Sequence, residues 1–165
     1  MQLDSLHKLY EDTLKDLHSA ERQILEALPR MIKAASDETL QQALEEHRQV
    51  TEDQLARLDR IFEEMKKSGQ GKRCKGMEGL IEEGKELLSE DAEPEVLDAG
   101  IIAAAQKVEH YEISGYGTAC AYARLLGETE AELLLRESLA EEKEADQKLT
   151  QLAENAINVE AEARA

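Results

Sequence analysis

Apolar positions along the chain recur at alternating steps of three and four residues, the spacing that gathers them on one face of an α-helix. Four long stretches carry this pattern: residues 4–34, 37–68, 94–126 and 129–160. No stretch alternates with the period of two that a half-buried strand requires, so the pattern predicts an all-α fold. Asp37 is placed to cap the second stretch, Pro94 falls where a first-turn proline is tolerated in the third, and Gly127 closes it. The breaks at Ser36–Asp37 and Gly127–Glu128 are short, which predicts two antiparallel hairpins. Pro29 lies inside the first helix and predicts a kink near Leu25. Residues Ser68 to Glu93 differ from the rest. They open with Gly69, Gly71, Lys72, Arg73, Lys75 and Gly76, then carry a short amphipathic run from Met77 to Leu88. A 30-residue helix spans about 45 Å and extended chain covers about 3.3 Å per residue, so this stretch can return along the whole bundle. The charged segment from Glu160 to Ala165 is expected to fray.

Two hairpins joined by one long crossover with a short helix is the connectivity of a ferritin-like four-helix bundle, expected as one domain over residues 1–165. The core stripes can be written out. The first helix presents Leu14, Leu17, Glu21, Ile24, Leu28 and Met31. The second presents Leu40, Leu44, His47, Thr51, Gln54, Leu58, Ile61 and Met65. The third presents Ile102, Ala105, Glu109, Glu112, Tyr116, Ala119, Ala123 and Leu126. The fourth presents Leu135, Leu139, Glu142, Asp146, Leu149, Ala153 and Ala156. Each stripe is apolar at both ends and polar near its middle.

A buried, unpaired carboxylate is unfavourable by several kcal/mol even after relaxation. Glu21, Glu109, Glu112, Glu142 and Asp146 converging without cations would raise their own pKa values or unfold the core. Bound metal resolves this, because it supplies positive charge and engages the oxygen lone pairs. Glu109 and Glu112 are separated by three residues and Glu142 and Asp146 by four, so each pair shares a helix face. Across the second hairpin, Glu112 falls level with Glu142 and Glu109 with Asp146. Across the first, His47 lies about one turn from the height of Glu21. The candidate ligands are therefore Glu21, His47, Glu109, Glu112, Glu142 and Asp146. Oxygen-rich donors with an imidazole suit iron first and manganese second. Di-iron bundles commonly use Glu-x-x-His on two helices, whereas here Leu44 stands three before His47. His110 points about 100° off the stripe and is expected to flank the site. His7 and His18 are expected at the surface or rim, Cys120 in the packing and Cys74 exposed in the basic loop. Tyr116 and Tyr10 are expected as core aromatics whose hydroxyls can reach a site carboxylate.

Composition then narrows the partners. The 165 residues hold 20 Lys+Arg against 37 Asp+Glu, a formal net charge of −17. Such a surface repels nucleic acid and anionic membranes. No apolar run approaches the roughly 20 residues that span a bilayer, and no signal-like leader follows Met1. Two Cys 46 positions apart carry no disulfide or metal motif, so a reduced, cytoplasmic setting is expected. Metal cations remain open.

Several segments resemble one family. These are Leu17-His18-Ser19-Ala20-Glu21-Arg22-Gln23, Met77-Glu78-Gly79-Leu80-Ile81-Glu82-Glu83, Ala103 through Ile113 with Gly115-Tyr116-Gly117-Thr118, and Leu139-Ala140-Glu141-Glu142-Lys143 with Asp146, Lys148, Leu149 and Thr150. Together they are similar to the YciE/YciF family of bacterial ferritin-like proteins. The resemblance implies a ferritin-like bundle with a dimetal site, a homodimer and a part in bacterial stress responses, without an established biochemical activity. Where that family often reads His-x-x-Glu-Thr, this chain has Val50 in place of the acid. The expected function is a metal-binding stress protein with two divalent ions, iron or manganese, suited to oxidising Fe(II) or consuming peroxide. The alternative is a structural or partner-binding bundle whose polar layer only sets helix register. A shell of 24 subunits is a weaker third reading, against which a dimer is expected.

Overall fold

The computed structural model describes residues 4–164, and every regular element among them is helical. In chain order these are α1 (Leu6–Ala34), α2 (Glu38–Glu64), α3 (Lys75–Leu87), α4 (Pro94–Leu126), α5 (Thr129–Leu152), a π-helical turn (Ala153–Ile157) and α6 (Asn158–Glu162). The long helices form a ferritin-like four-helix bundle. α1 packs on α2 and α4, α5 packs on α4 and α2, and α3 lies against α1 and α4 within the crossover.

The boundaries follow local chemistry. Ser5 and Asp37 accept hydrogen bonds from Lys8 and Leu40 backbone N–H groups, capping α1 and α2. Pro94 opens α4, and Gly127 ends it at φ 76°, where a side chain would be strained. α1 runs through Pro29, which is exposed. Two boundaries depart from the periodicity. α2 stops at Glu64 rather than near residue 68, because Lys66 turns left-handed (φ 54°) and Lys67 N–H bonds back to Phe62 O at 2.9 Å. The loop then presses Gly69 so close that a Cβ there would meet Phe62 at 2.8 Å and His18 at 2.9 Å. The last helix does not run unbroken to residue 160, since its winding widens between Ala153 and Ile157. Leu149, Ala153 and Ile157, spaced by four, all stay buried across that turn.

Two expectations about single residues are overturned. Cys74 is fully buried, not exposed: its Sγ caps α3 at Met77 N–H (3.4 Å) and lies 2.9 Å from the Tyr111 hydroxyl. His18 is likewise buried rather than at the surface, hydrogen-bonded to Asp59 at 2.9 Å and edge-on to Phe62. The end of α2 and the Gly69 loop cover His18, whereas Cys74 is covered by Tyr111 of α4 and Asp16 of α1.

The apolar core is in two pieces. One centres on Ile24, Leu28, Leu40, Leu44, Met77, Ile101 and Ile102, toward the α1–α2 turn. The other centres on Tyr10, Leu14, Leu17, Leu58, Ile61, Tyr116 and Leu135, toward the α4–α5 turn. Buried polar residues lie between them. No helix among the described residues is long and apolar enough to cross a membrane.

Candidate metal centre

Between the two core pieces each long helix contributes at least one buried ionisable side chain: Glu21 from α1, His47 from α2, Glu109 and Glu112 from α4, and Glu142 from α5. One donor atom each from His47, Glu109, Glu112 and Glu142 lies within 4.8 Å of the others. Three-residue spacing on α4 stacks its two glutamates one turn apart, aimed at the helices opposite. His47 Nε2 stands 3.4 Å from Glu109 Oε1.

Few protein groups satisfy these atoms. Gln54 donates to Glu142 Oε1 at 2.5 Å, and the Tyr116 hydroxyl donates to Glu21 Oε1. Glu21 Oε2, Glu109 Oε2, both oxygens of Glu112, Glu142 Oε2 and His47 Nδ1 are buried without a partner. Among the described residues no lysine or arginine pairs with these glutamates. Arg57, one turn beyond Gln54 on α2, is engaged by Glu141 at 2.6 and 2.7 Å.

The electrostatics follow from burial. Desolvation, with Glu142 beside it, raises Glu21 to about 8 despite the opposing Tyr116 hydrogen bond. Glu109 is pushed well above the usual carboxylate range by burial and then by Glu142. Glu112 is raised by burial and then by Glu21 and Glu142. Burial lowers His47, partly offset by Glu142, so its imidazole is neutral and keeps a lone pair. Tyr116 is raised well above its ordinary value by burial and by Glu21.

Of the six residues expected at the site, four meet directly. Glu21 is fully buried at the edge of the group, and its charge is felt by Glu109 and Glu112. Asp146 is partly exposed and turned aside, accepting from Gln106 Nε2 at 3.1 Å and lying 3.2 Å from His110 Nε2. His110 is exposed, in its expected flanking place. Gln54 is the contributor that the reading for metal donors passed over. It lies two turns after His47 on the same stripe, and that position is the signal that could have found it.

Two cavities reach the His47–Glu109 pair from different sides. One, about 170 Å³, opens between α2 and α5 and is lined by Glu46, Val50, Glu141, Glu144 and Lys148. The other, about 230 Å³, opens between α1, α3 and α4 and is mainly apolar.

The whole chain aligns with YciF of Escherichia coli strain K12, 43% identical over 166 residues and covering all of both proteins. The solved structure of that E. coli stress protein superposes with a TM-score of 0.91, covering 94% of this chain and 99% of that one. YcfI of Rhodopseudomonas palustris, provisionally described as a structural protein, is 41% identical with a TM-score of 0.87 over 91% of this chain and 97% of its own. A protein of Xanthomonas campestris shares the fold at 20% identity, with a TM-score of 0.79 over 97% of this chain and 98% of its own. Residues 5–162 match the family described as a domain of unknown function, DUF892. The chain therefore belongs to the YciF-like DUF892 family.

Proposed function

We propose that this protein is a dimetal-binding ferritin-like bundle acting in bacterial stress response, with iron or manganese held by His47, Glu109, Glu112 and Glu142 and flanked by Glu21 and Asp146. The observation that carries this reading is the set of buried carboxylate oxygens without partners, converging within 4.8 Å on a neutral imidazole. Such a donor set fits hard or borderline divalent cations. Bound iron or manganese would supply one-electron redox chemistry, suited to oxidising Fe(II) or consuming peroxide. The chain's own residues prepare the place. Gln54 orients Glu142, Tyr116 holds one oxygen of Glu21, and Thr51 fastens the α2 backbone by donating to His47 O at 2.9 Å. A cavity lined by Glu46, Glu141, Glu144 and Lys148 ends at His47 and Glu109; Glu46 is paired with Lys148 and Glu141 with Arg57, which leaves Glu144 as its unpaired acid among the described residues.

The expectation of one domain over residues 1–165, a homodimer and a cytoplasmic setting belongs to the same proposal. Metal analysis of protein purified without chelator, with thermal melts before and after chelation, tests it. Two ions per chain and a lower melting temperature on chelation are expected. Sub-stoichiometric metal under every loading condition, with an unchanged melt, overturns it.

A second reading is favoured by the two hydrogen bonds that already satisfy part of the layer, and by the structural description of the R. palustris relative. In it, the polar layer only fixes helix register. Replacing Glu109 and Glu142 together by Gln then preserves or raises stability without changing oligomeric state. Loss of bound metal together with an oxidase signal favours the first reading.

A further inference from the structure

The 230 Å³ cavity between α1, α3 and α4 is unlike its neighbour. Leu28, Met31, Leu44, Leu80, Ile81 and Val108 form most of its wall, and its buried end is His47 and Glu109. Its exposed end carries Arg30 and Lys85 against one acid, Glu26. On a molecule of net charge −17 this mouth is locally balanced, with Arg30 and Lys85 facing Glu26 and the neighbouring Glu82. Lys85 has only a 3.6 Å contact with Glu82, and Arg30 makes no ion pair among the described residues. A volume of about 230 Å³ holds roughly eight groups of water or methylene size, at about 30 Å³ each. An apolar shaft with cations at the mouth is complementary to an amphiphile with an anionic head.

We propose that this cavity binds a medium-chain aliphatic monocarboxylate, with its carboxylate at Arg30 and Lys85 and its chain directed inward to His47 and Glu109. The inference deepens the metal-site reading, on which it rests for what the inner end of the chain meets. Gly84, on the wall, offers the means to close the shaft: a Cβ there meets only Ala104 Cβ, at 4.0 Å, so a longer side chain has room to enter the cavity.

Calorimetric titration of metal-loaded and chelator-stripped protein with hexanoate, octanoate and dodecanoate tests this. Octanoate is expected to bind about tenfold more tightly than hexanoate, from two further buried methylenes, while dodecanoate gains little because the shaft cannot take its whole chain with the carboxylate still at Arg30 and Lys85. Gly84→Leu is expected to abolish octanoate binding while leaving metal content and circular dichroism unchanged. Arg30→Gln with Lys85→Gln is expected to weaken octanoate about tenfold and leave octan-1-ol unaffected. Octanoate should also shift the visible spectrum of the cobalt-loaded protein. Affinity independent of chain length, or equal binding by wild type and Gly84→Leu, overturns the proposal. Protein that takes two metal ions but ignores octanoate removes this inference alone. Protein that binds octanoate with the expected length dependence but never holds metal removes only the metal-site reading.

Discussion

Tyr116 is the residue on which the buried layer leans most visibly. Its hydroxyl donates to Glu21 Oε1, and the second oxygen of that carboxyl is already without a partner. Tyr116→Phe keeps the ring that packs with Leu14, Leu17 and Ile61 but strands the carboxyl. The metal-free variant is expected to lose about 1–3 kcal/mol of stability, read from urea unfolding, and its Glu21 to titrate above 8. That a tyrosine would stand beside a site carboxylate was legible in the sequence, because Tyr116 is one helical turn beyond Glu112 on a stripe already interrupted by acids. The turning away of Asp146 was not. Helical spacing fixes the face from which a side chain leaves, whereas its final direction is set by partners, here Gln106 and His110.

At the scale of elements, the α1–α2 turn is held by a residue far away in the chain. Asp98 of α4 is buried and accepts from Ser36 N–H at 2.8 Å, Ser36 Oγ–H at 2.6 Å and Asp37 N–H at 2.9 Å. These bonds tie the first hairpin to the start of α4 and fix the height at which His47 meets Glu109. Asp98→Ala removes three acceptor contacts at once and leaves the Ser36 and Asp37 N–H groups without their side-chain acceptor. A loss of about 3 kcal/mol in chemical denaturation is expected, with weaker metal retention as the register loosens. The helices themselves were legible because their three-and-four stepping and terminal Asp37, Pro94 and Gly127 agree. Asp98 was not, since an acid at a helix's first turns reads equally as a solvated residue that favours the helix dipole. Likewise nothing local announces that Cys74 is covered, because the cover comes from Tyr111 on α4 and Asp16 on α1.

For the whole molecule, the raised carboxyl pKa values make stability depend on pH in opposite ways with and without metal. An acid whose pKa is higher in the fold than unfolded holds its proton more tightly in the fold. Metal-free protein therefore loses stability as pH rises from about 4.5, through the value of about 8 for Glu21 and the raised values of Glu109 and Glu112. The proposed metal would need those groups ionised, so its binding would release protons and tighten over the same window. The gap in melting temperature between loaded and stripped protein is expected to widen from about pH 6 to about pH 8. Titrations in buffers of different ionisation enthalpy should register the protons released. The division of the apolar core by this layer has a further consequence for cooperativity. Without cations, the layer is a seam of mutually repelling or protonated groups, and the two hydrophobic halves share only the helix backbones that cross it. Amide hydrogen exchange in stripped protein is then expected to resolve two unfolding units, one around Leu28 and Leu44 and one around Leu17 and Leu58. Binding of the proposed metal should merge them into one, so that the ions would act as a weld as well as a reactive centre.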